Sequence, residues 1–227
     1  MSKTVSHRII AHIENDYGGK FGIPRQSGLV DELESVIVFE KEYAKKEALR
    51  GIEGYSHLWI LWQFSECERE SWHPTVRPPR LGGNRRVGVF ATRSPFRPNA
   101  IGLSSVKLLG VEDTPEHGTV LRVSGADLMN GTPIFDIKPY LPFTDAHPEA
   151  KGGFADTVFG HRLTVVIPPE SEQKIPPEKR AALCELLAGD PRPSYQEDPA
   201  RIYKMDFANL TVCFRVENQT LTVTDIL

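Results

Sequence analysis

Arg85-Arg-Val-Gly-Val-Phe-Ala-Thr-Arg-Ser-Pro-Phe-Arg-Pro-Asn-Ala-Ile-Gly-Leu-Ser-Ser-Val-Lys-Leu108 is the stretch that decides the fold of this chain. Val87 to Thr92 is short, apolar and β-prone, and Ala100 to Leu109 is a second such run, so both predict strands. Between them, Ser94-Pro-Phe-Arg-Pro-Asn99 carries two prolines, which fix φ and donate no ladder hydrogen bond. The prediction is a stiff, extended loop that presents Arg93, Arg97 and the amide of Asn99. Such a pre-ordered loop gives up less entropy when a ligand binds.

The charge around this loop is unusual. From Ser71 to Val111 there are six arginines and one lysine but no Asp or Glu, in a chain of net charge -3. The remainder is therefore strongly acidic, whereas solubility alone asks only for mixed charge. The cluster reads as a solvated face, as a set of salt bridges to the acidic remainder, or as an anion site in which guanidinium forks grip phosphate or carboxylate. Trp72, Phe90 and Phe96 are interleaved with it and offer stacking surfaces for bases, which favours RNA over a bare phosphate ligand.

Outward from there, strands are predicted at His7 to Glu14, Leu33 to Glu40, Tyr55 to Phe64 and Thr119 to Gly125. Tyr55 to Phe64 is almost wholly apolar, which predicts a central strand covered on both faces. Glu42 to Leu49 predicts a helix that stops at Gly51. The Pro- and Gly-rich run from Trp72 to Gly83 predicts a long functional loop with no regular element, and Gly82-Gly83 a turn. Asn130-Gly131 is a hairpin signal before the extended run to Phe143. So many strands with so little helix imply a barrel or a curled sheet.

Composition turns polar between Thr144 and Gly153, which places a boundary near 150. The expected domains are 1–150, a β-barrel, and 151–227, a small α+β unit. The latter holds a strand at Arg162 to Ile167, a helix with the stripe Ala182, Leu183, Leu186 and Leu187, a stiff loop at Asp190-Pro-Arg-Pro-Ser-Tyr195, and a terminal hairpin turning at Glu217-Asn218-Gln219. The overall fold class expected is mainly β.

Several chemistries find no support. Cys67, Cys184 and Cys213 form neither a disulfide framework nor a CxxC pair, and the seven histidines make no HExxH, so no metal is expected. His57 reads as a core or dimer-interface residue. No apolar run approaches the ~18 residues of a membrane helix, and the N-terminus lacks a signal peptide's hydrophobic region. A soluble, cytoplasmic protein is expected. Gly102-Leu-Ser-Ser-Val106 misses the GxSxG elbow, and Gly82-Gly83-Asn84 is neither a P-loop nor a dinucleotide fingerprint. Asp136 and Lys138, two apart, share one face of a strand. They form either a surface ion pair or a pair that activates a polar substrate.

Phe21-Gly-Ile-Pro-Arg-Gln26, Ser56-His-Leu-Trp59, Val76-Arg-Pro-Pro-Arg-Leu-Gly-Gly-Asn84, Gly88 to Asn99, Ile101-Gly-Leu-Ser104 and Asp136-Ile-Lys-Pro-Tyr140 together closely resemble the TsaA/TrmO family. The resemblance covers about residues 5 to 145, and Asp190 to Tyr195 looks like the C-terminal module of bacterial members. It implies an S-adenosylmethionine-dependent tRNA methyltransferase built on a single-sheeted β-barrel and acting as a homodimer. The implied acceptor is the exocyclic nitrogen of N6-threonylcarbamoyladenosine beside the anticodon. Donor-binding positions carried over are Gln26, Ser27, Gly28, Phe64, Ser65, Arg93, Leu103, Ser124, Gly125, Ala126 and Asp127. Arg85, Arg97, Asn99, Tyr140 and Arg192 are the substrate-binding candidates, and Asp136 and Lys138 those for positioning or proton removal. A second reading is an RNA-binding module that uses S-adenosylmethionine as a ligand or not at all.

Overall fold

A computed structural model describes residues 4–19, 21–67, 71–81, 85–157, 160, 162–192 and 198–227. Six strands form the larger body: β1 (Ala11–Glu14), β2 (Glu34–Phe39), β3 (His57–Gln63), and, beyond the short strands β4 (Thr75–Val76) and β5 (Val87–Gly88), β6 (Ile101–Thr114), β7 (Gly118–Ser124) and β8 (Pro133–Pro139). They are hydrogen-bonded in the order β1-β2-β7-β6-β3-β8, and β8 pairs in turn with β1, so the ladder closes into a ring. Closure leaves no open edge for another chain to extend.

One long strand makes the ring possible. The first half of β6 pairs with β3 and its second half with β7, with a register shift between Leu108 and Gly110. Such a bulge bends the strand and lets the sheet turn back on itself. Alternate residues point inward, as the two-residue period of a strand requires. Leu58, Ile60 and Trp62 of β3, Val106 of β6, and Leu121 and Val123 of β7 fill the interior. It is a packed core, not a pore.

The second body runs from β9 (Thr164–Val166) through α2 (Pro169–Glu172) and α3 (Arg180–Ala188) to β10 (Tyr203–Phe207), β11 (Leu210–Glu217) and β12 (Thr220–Ile226); a short α1 (Pro142–Asp145) precedes it. Its sheet has the order β10-β11-β12-β9. The stripe Ala182, Leu183, Leu186 and Leu187 of α3 is buried against it. The cluster also takes Tyr17, Val30 and Leu33 from the loop between β1 and β2.

Several expectations change. Val87 to Thr92 is a strand for two residues only; a 3-10 turn takes over at Val89–Ala91. Burial of the Val89 side chain and the bond from Val89 N to Pro74 O (2.9 Å) turn the chain there. The run from Trp72 is not wholly irregular, because β4 pairs with β5 and a 3-10 turn spans Pro79–Leu81. The expected turn at Gly82-Gly83 lies outside the described residues. Glu42 to Leu49 makes no α-helix but a 3-10 turn at Lys46–Leu49; none of its residues is buried, and a short helix with no buried face is marginal. β3 is central, yet only its inward residues are fully buried. Asn130-Gly131 is a turn, Gly131 having φ +77°, but it joins no hairpin, since β8 pairs with β1 and β3.

Candidate active site

A cavity of about 480 Å³ opens where β3 ends, β6 begins and the chain leaves β7. Its floor is the Trp62 indole. That ring lies flat over Gly102, where an added Cβ would come within 2.2 Å of the indole, so only glycine tolerates the approach. Trp62 Nε1 donates to Ser104 Oγ at 2.9 Å, and Ser104 Oγ donates to Asp127 Oδ1. The chain indole, hydroxyl, carboxylate fixes the direction of Asp127. Burial pushes the Asp127 carboxyl above the usual carboxylate range, against the opposing pull of the Ser104 hydroxyl, its own and Ser27's backbone amides, and the charge of Arg93. A carboxyl whose charged form is disfavoured by burial gains from a cationic ligand placed beside it.

Two loops wall the cavity. On one side, Thr92 to Asn99 is braced by its own atoms. Ser94 N donates to Thr92 Oγ1 (3.2 Å), Arg97 N to Pro95 O (2.9 Å) and Arg97 Nη1 to Thr92 O (3.0 Å). On the other side, Ile23 to Gly28 is tied to the ring, with Gly28 N donating to Gly125 O (2.8 Å) and Ser105 N to Ser27 Oγ (3.2 Å). Arg93 Nη1 donates to Gln26 Oε1 and joins the two walls. Phe64 leans on Trp62 with ring centroids 4.2 Å apart.

A second cleft, about 850 Å³, adjoins the first and shares Gln26, Arg93, Pro95 and Arg97 with it. Trp72, Phe96, Phe154, Arg77 and Arg86 line the rest. Among the described residues, Arg77, Arg85, Arg86, Arg93 and Arg97 form no ion pair with a carboxylate. Among the described residues this removes the salt-bridged alternative and leaves a solvated face or an anion site.

The expected donor residues separate into lining and scaffold. Gln26, Phe64, Ser65, Arg93, Leu103 and Asp127 line the cavity. Ser27 and Gly28 hold the wall from behind, Ser124 and Ala126 are buried, and Gly125 supplies the carbonyl that anchors Gly28. Of the substrate candidates, Arg97 lines both clefts, while Arg85 and Asn99 are exposed nearby in sequence. Tyr140 stands on the outer face of the ring, its ring centroid 5.5 Å from that of Trp59. Asp136 and Lys138 form an exposed ion pair at 2.8 Å on that face. Asp136 is paired across to Leu61, and Leu61 to Leu103, so the three make one transverse row. Arg192 does not face outward as a substrate contact would: it forks onto Asp190, and its side chain is 12% exposed. A carboxylate two residues away is its nearer anion. Pro193 to Tyr195 of that expected loop lie outside the described residues.

Sequence reasoning missed Arg25, Trp62 and Phe154. Arg25 stands inside a quoted motif and had a signal; Trp62 looked like any core residue, and Phe154, in a Gly-rich connection, had none. Among the described residues no group of His, Cys, Asp and Glu is placed to hold a metal ion, and no helix is long and apolar enough to cross a membrane.

A closed ring of strands with a filled interior, and a rim cavity of a size suited to a small ligand beside an arginine-rich cleft, defines a ligand-binding β protein outside the dinucleotide-binding α/β class. The tRNA-methyltransferase O N-terminal domain matches residues 12–146 and the TrmO C-terminal domain residues 161–227. The chain belongs to the TrmO family. It is 40% identical over 215 residues, 91% of each chain, to the tRNA (adenine(37)-N6)-methyltransferase of Escherichia coli K12. It is 39% identical over 210 residues, 89% of each chain, to a Pseudomonas aeruginosa protein named "Putative S-adenosylmethionine-dependent methyltransferase RcsF". A crystal structure of TrmO from P. aeruginosa superposes with TM-score 0.82 at 31% identity, covering 100% of this chain and 98% of the other.

Proposed function

We propose that this protein is an S-adenosylmethionine-dependent methyltransferase that methylates the exocyclic nitrogen of adenosine 37 in tRNA, with N6-threonylcarbamoyladenosine as acceptor. The observation that carries this reading is one rim cavity holding a buried carboxylate, Asp127, beside Arg93, which pairs with no carboxylate among the described residues, next to a cleft edged by arginines and aromatics. The relatives named above support the reaction and the RNA class.

The residues fit the donor. Its cationic groups suit Asp127, its carboxylate suits Arg93, and Trp62, Phe64 and Leu103 offer apolar surface to a purine. When bound, the donor supplies an electrophilic methyl group on a sulfonium. The protein's share is alignment, because holding two reactants in line converts a bimolecular step into an effectively unimolecular one. Arg97, with Arg85 and Asn99 nearby in sequence, is proposed to meet the threonyl carboxylate and the phosphates. Trp72, Phe96 and Phe154 are proposed to stack on bases of the loop.

The acceptor nitrogen is conjugated and needs its proton removed or its developing charge stabilised. Asp136 and Lys138 are proposed for that task, supported by the row that connects Asp136 through Leu61 to Leu103. Tyr140 is proposed as a contact on the same face. We read the ring as a single-sheeted barrel, residues 1–150 and 151–227 as two domains, a homodimer as the working form, and the cytoplasm as the compartment, which the free, scattered cysteines suit.

The test is incubation with labelled donor and two tRNA pools, one carrying threonylcarbamoyladenosine and one lacking it. Label in the first pool alone is expected. Label in both refutes the acceptor, and donor binding without label in either gives the binding-module reading.

A further inference from the structure

The loop from Asn15 to Leu33 leaves the ring after β1 and returns to it at β2, yet Tyr17, Val30 and Leu33 are buried in the other body, with Phe21 and Ile23 partly buried against it. Tyr17, Val30 and Leu33 join the cluster around Phe214, and Phe21 stacks on Phe214 with centroids 6.4 Å apart and planes 5° apart. Gly22 has φ +97°, and a Cβ there would lie 2.3 Å from Met205 Sδ, so glycine alone lets the loop lie this close to β10. Ala208 N donates to Asp16 O at 3.2 Å, and Lys179 pairs with the Asp16 carboxylate.

Arg25 completes the attachment. Its Nη2 donates to the carbonyl oxygens of Asp190 and Arg192, 2.7 Å each. Those carbonyls are themselves fixed: Asp190 is buried with φ +53°, and its carboxylate is gripped by Arg192 Nε at 2.9 Å and Nη2 at 3.0 Å. A non-glycine residue in the left-handed region, carrying a buried ion pair, persists only where its surroundings hold it there. The very next residue is Gln26, which receives Arg93, and Ser27 and Gly28 are bonded to the ring. Within four residues the chain passes from the grip of one body to that of the other.

We infer that the C-terminal module is a positioning element for the donor cavity: through Arg25, the Asp190–Arg192 turn sets where Gln26, and with it Arg93, stands. This rests on reading the cavity as the donor site. Loosening the turn misplaces the wall of that cavity that carries Gln26, while Trp72, Phe96, Arg77 and Arg86, which line the arginine-rich cleft alone, keep their places.

The test uses the full chain, titrating S-adenosylmethionine calorimetrically and measuring KM for donor and for tRNA separately. Asp190→Asn breaks the ion pair while keeping a residue that tolerates positive φ, and Asp190 does not line the cavity among the described residues. Asp190→Asn is expected to weaken donor binding about tenfold and to raise donor KM in step, with kcat at saturation unchanged and tRNA KM moved less than donor KM. A merely structural attachment lowers the melting temperature and the active fraction without moving donor KM. Donor binding by Asp190→Asn equal to wild type therefore overturns the inference, whatever its melting temperature. Should that variant not fold, Arg192→Lys, which shortens the fork's reach, carries the same expectation and the same refutation. If the wild-type protein takes up no donor, the methyltransferase reading fails and the inference with it; if it does and the variants match it, the inference alone fails.

Discussion

The two walls of the rim cavity are rigid for opposite reasons. Thr92 to Asn99 is held from within, by Pro95 and Pro98 and by hydrogen bonds that begin and end inside the loop. Ile23 to Gly28 is held from without, by the ring on one side and by the C-terminal module on the other. Stiffness of the first kind is local and travels with the sequence. Stiffness of the second kind depends on two hydrophobic cores both being formed, and damage far from the cavity reaches it.

Arg93 is the tie between the walls, and removing it has the largest expected effect. Arg93→Ala takes away the bond to Gln26 and the charge facing the donor carboxylate. Hydrogen bonds to charged groups are worth about 1.5–3 kcal/mol, so kcat/KM for donor is expected to fall about 10- to 100-fold. Steady-state kinetics at varied donor checks it, and an unchanged value breaks the picture of one cavity with two coupled walls.

Gly22→Ala probes the externally held wall. The new Cβ meets Met205 and the backbone stays at φ +97°, so a loss of stability of about 1–3 kcal/mol is expected, as for other overpacked sites. Thermal unfolding measures that loss, and donor affinity is expected to fall alongside it. Pro95→Ala probes the self-braced wall. Here the cost is entropic, about 0.4–1 kcal/mol, and because the loop lies outside both cores it is expected to appear as a two- to fivefold weaker donor affinity by calorimetry. Should Pro95→Ala lower the melting temperature as much as Gly22→Ala, the contrast between the walls disappears.

The same contrast explains what the sequence could tell. Ser94-Pro-Phe-Arg-Pro-Asn99 announces a stiff cationic loop because every cause of its stiffness lies within six residues, and the alternation of β6, β7 and β11 announces strands for the same reason. The loop from Asn15 to Leu33 reads only as polar and Gly-rich, since its fixed shape comes from Phe214 and Met205, nearly two hundred residues on. β10 was invisible for a related reason: its hairpin turns at Ala208 and Asn209 with φ of 50° and 62°, and alanine gives no turn signal. Arg192 has the composition of an RNA contact but sits two residues from its carboxylate partner, a pairing that depends on the left-handed Asp190. Val87 to Thr92 has the propensity of a strand, and burial of Val89 overrides it.

The smallest effect concerns the floor between the walls, where the sign is more informative than the size. Burial holds the Asp127 carboxyl above the usual carboxylate range, so the folded protein binds that proton more tightly than the unfolded chain does. Its ionised form therefore costs stability. The cost is absent in acid, below the ordinary carboxylate value, and grows as pH rises from there through the raised folded value. Asp127→Asn removes it. The variant is expected to melt above wild type at neutral pH, with the difference closing as pH falls below the carboxylate range, while donor affinity drops because the anion that faces the donor's cationic groups is gone. Higher stability joined to weaker binding is the mark of a group kept for its ligand rather than for the fold. A parallel loss of both, at every pH, would instead make Asp127 a structural member of the Trp62 and Ser104 hydrogen-bond chain.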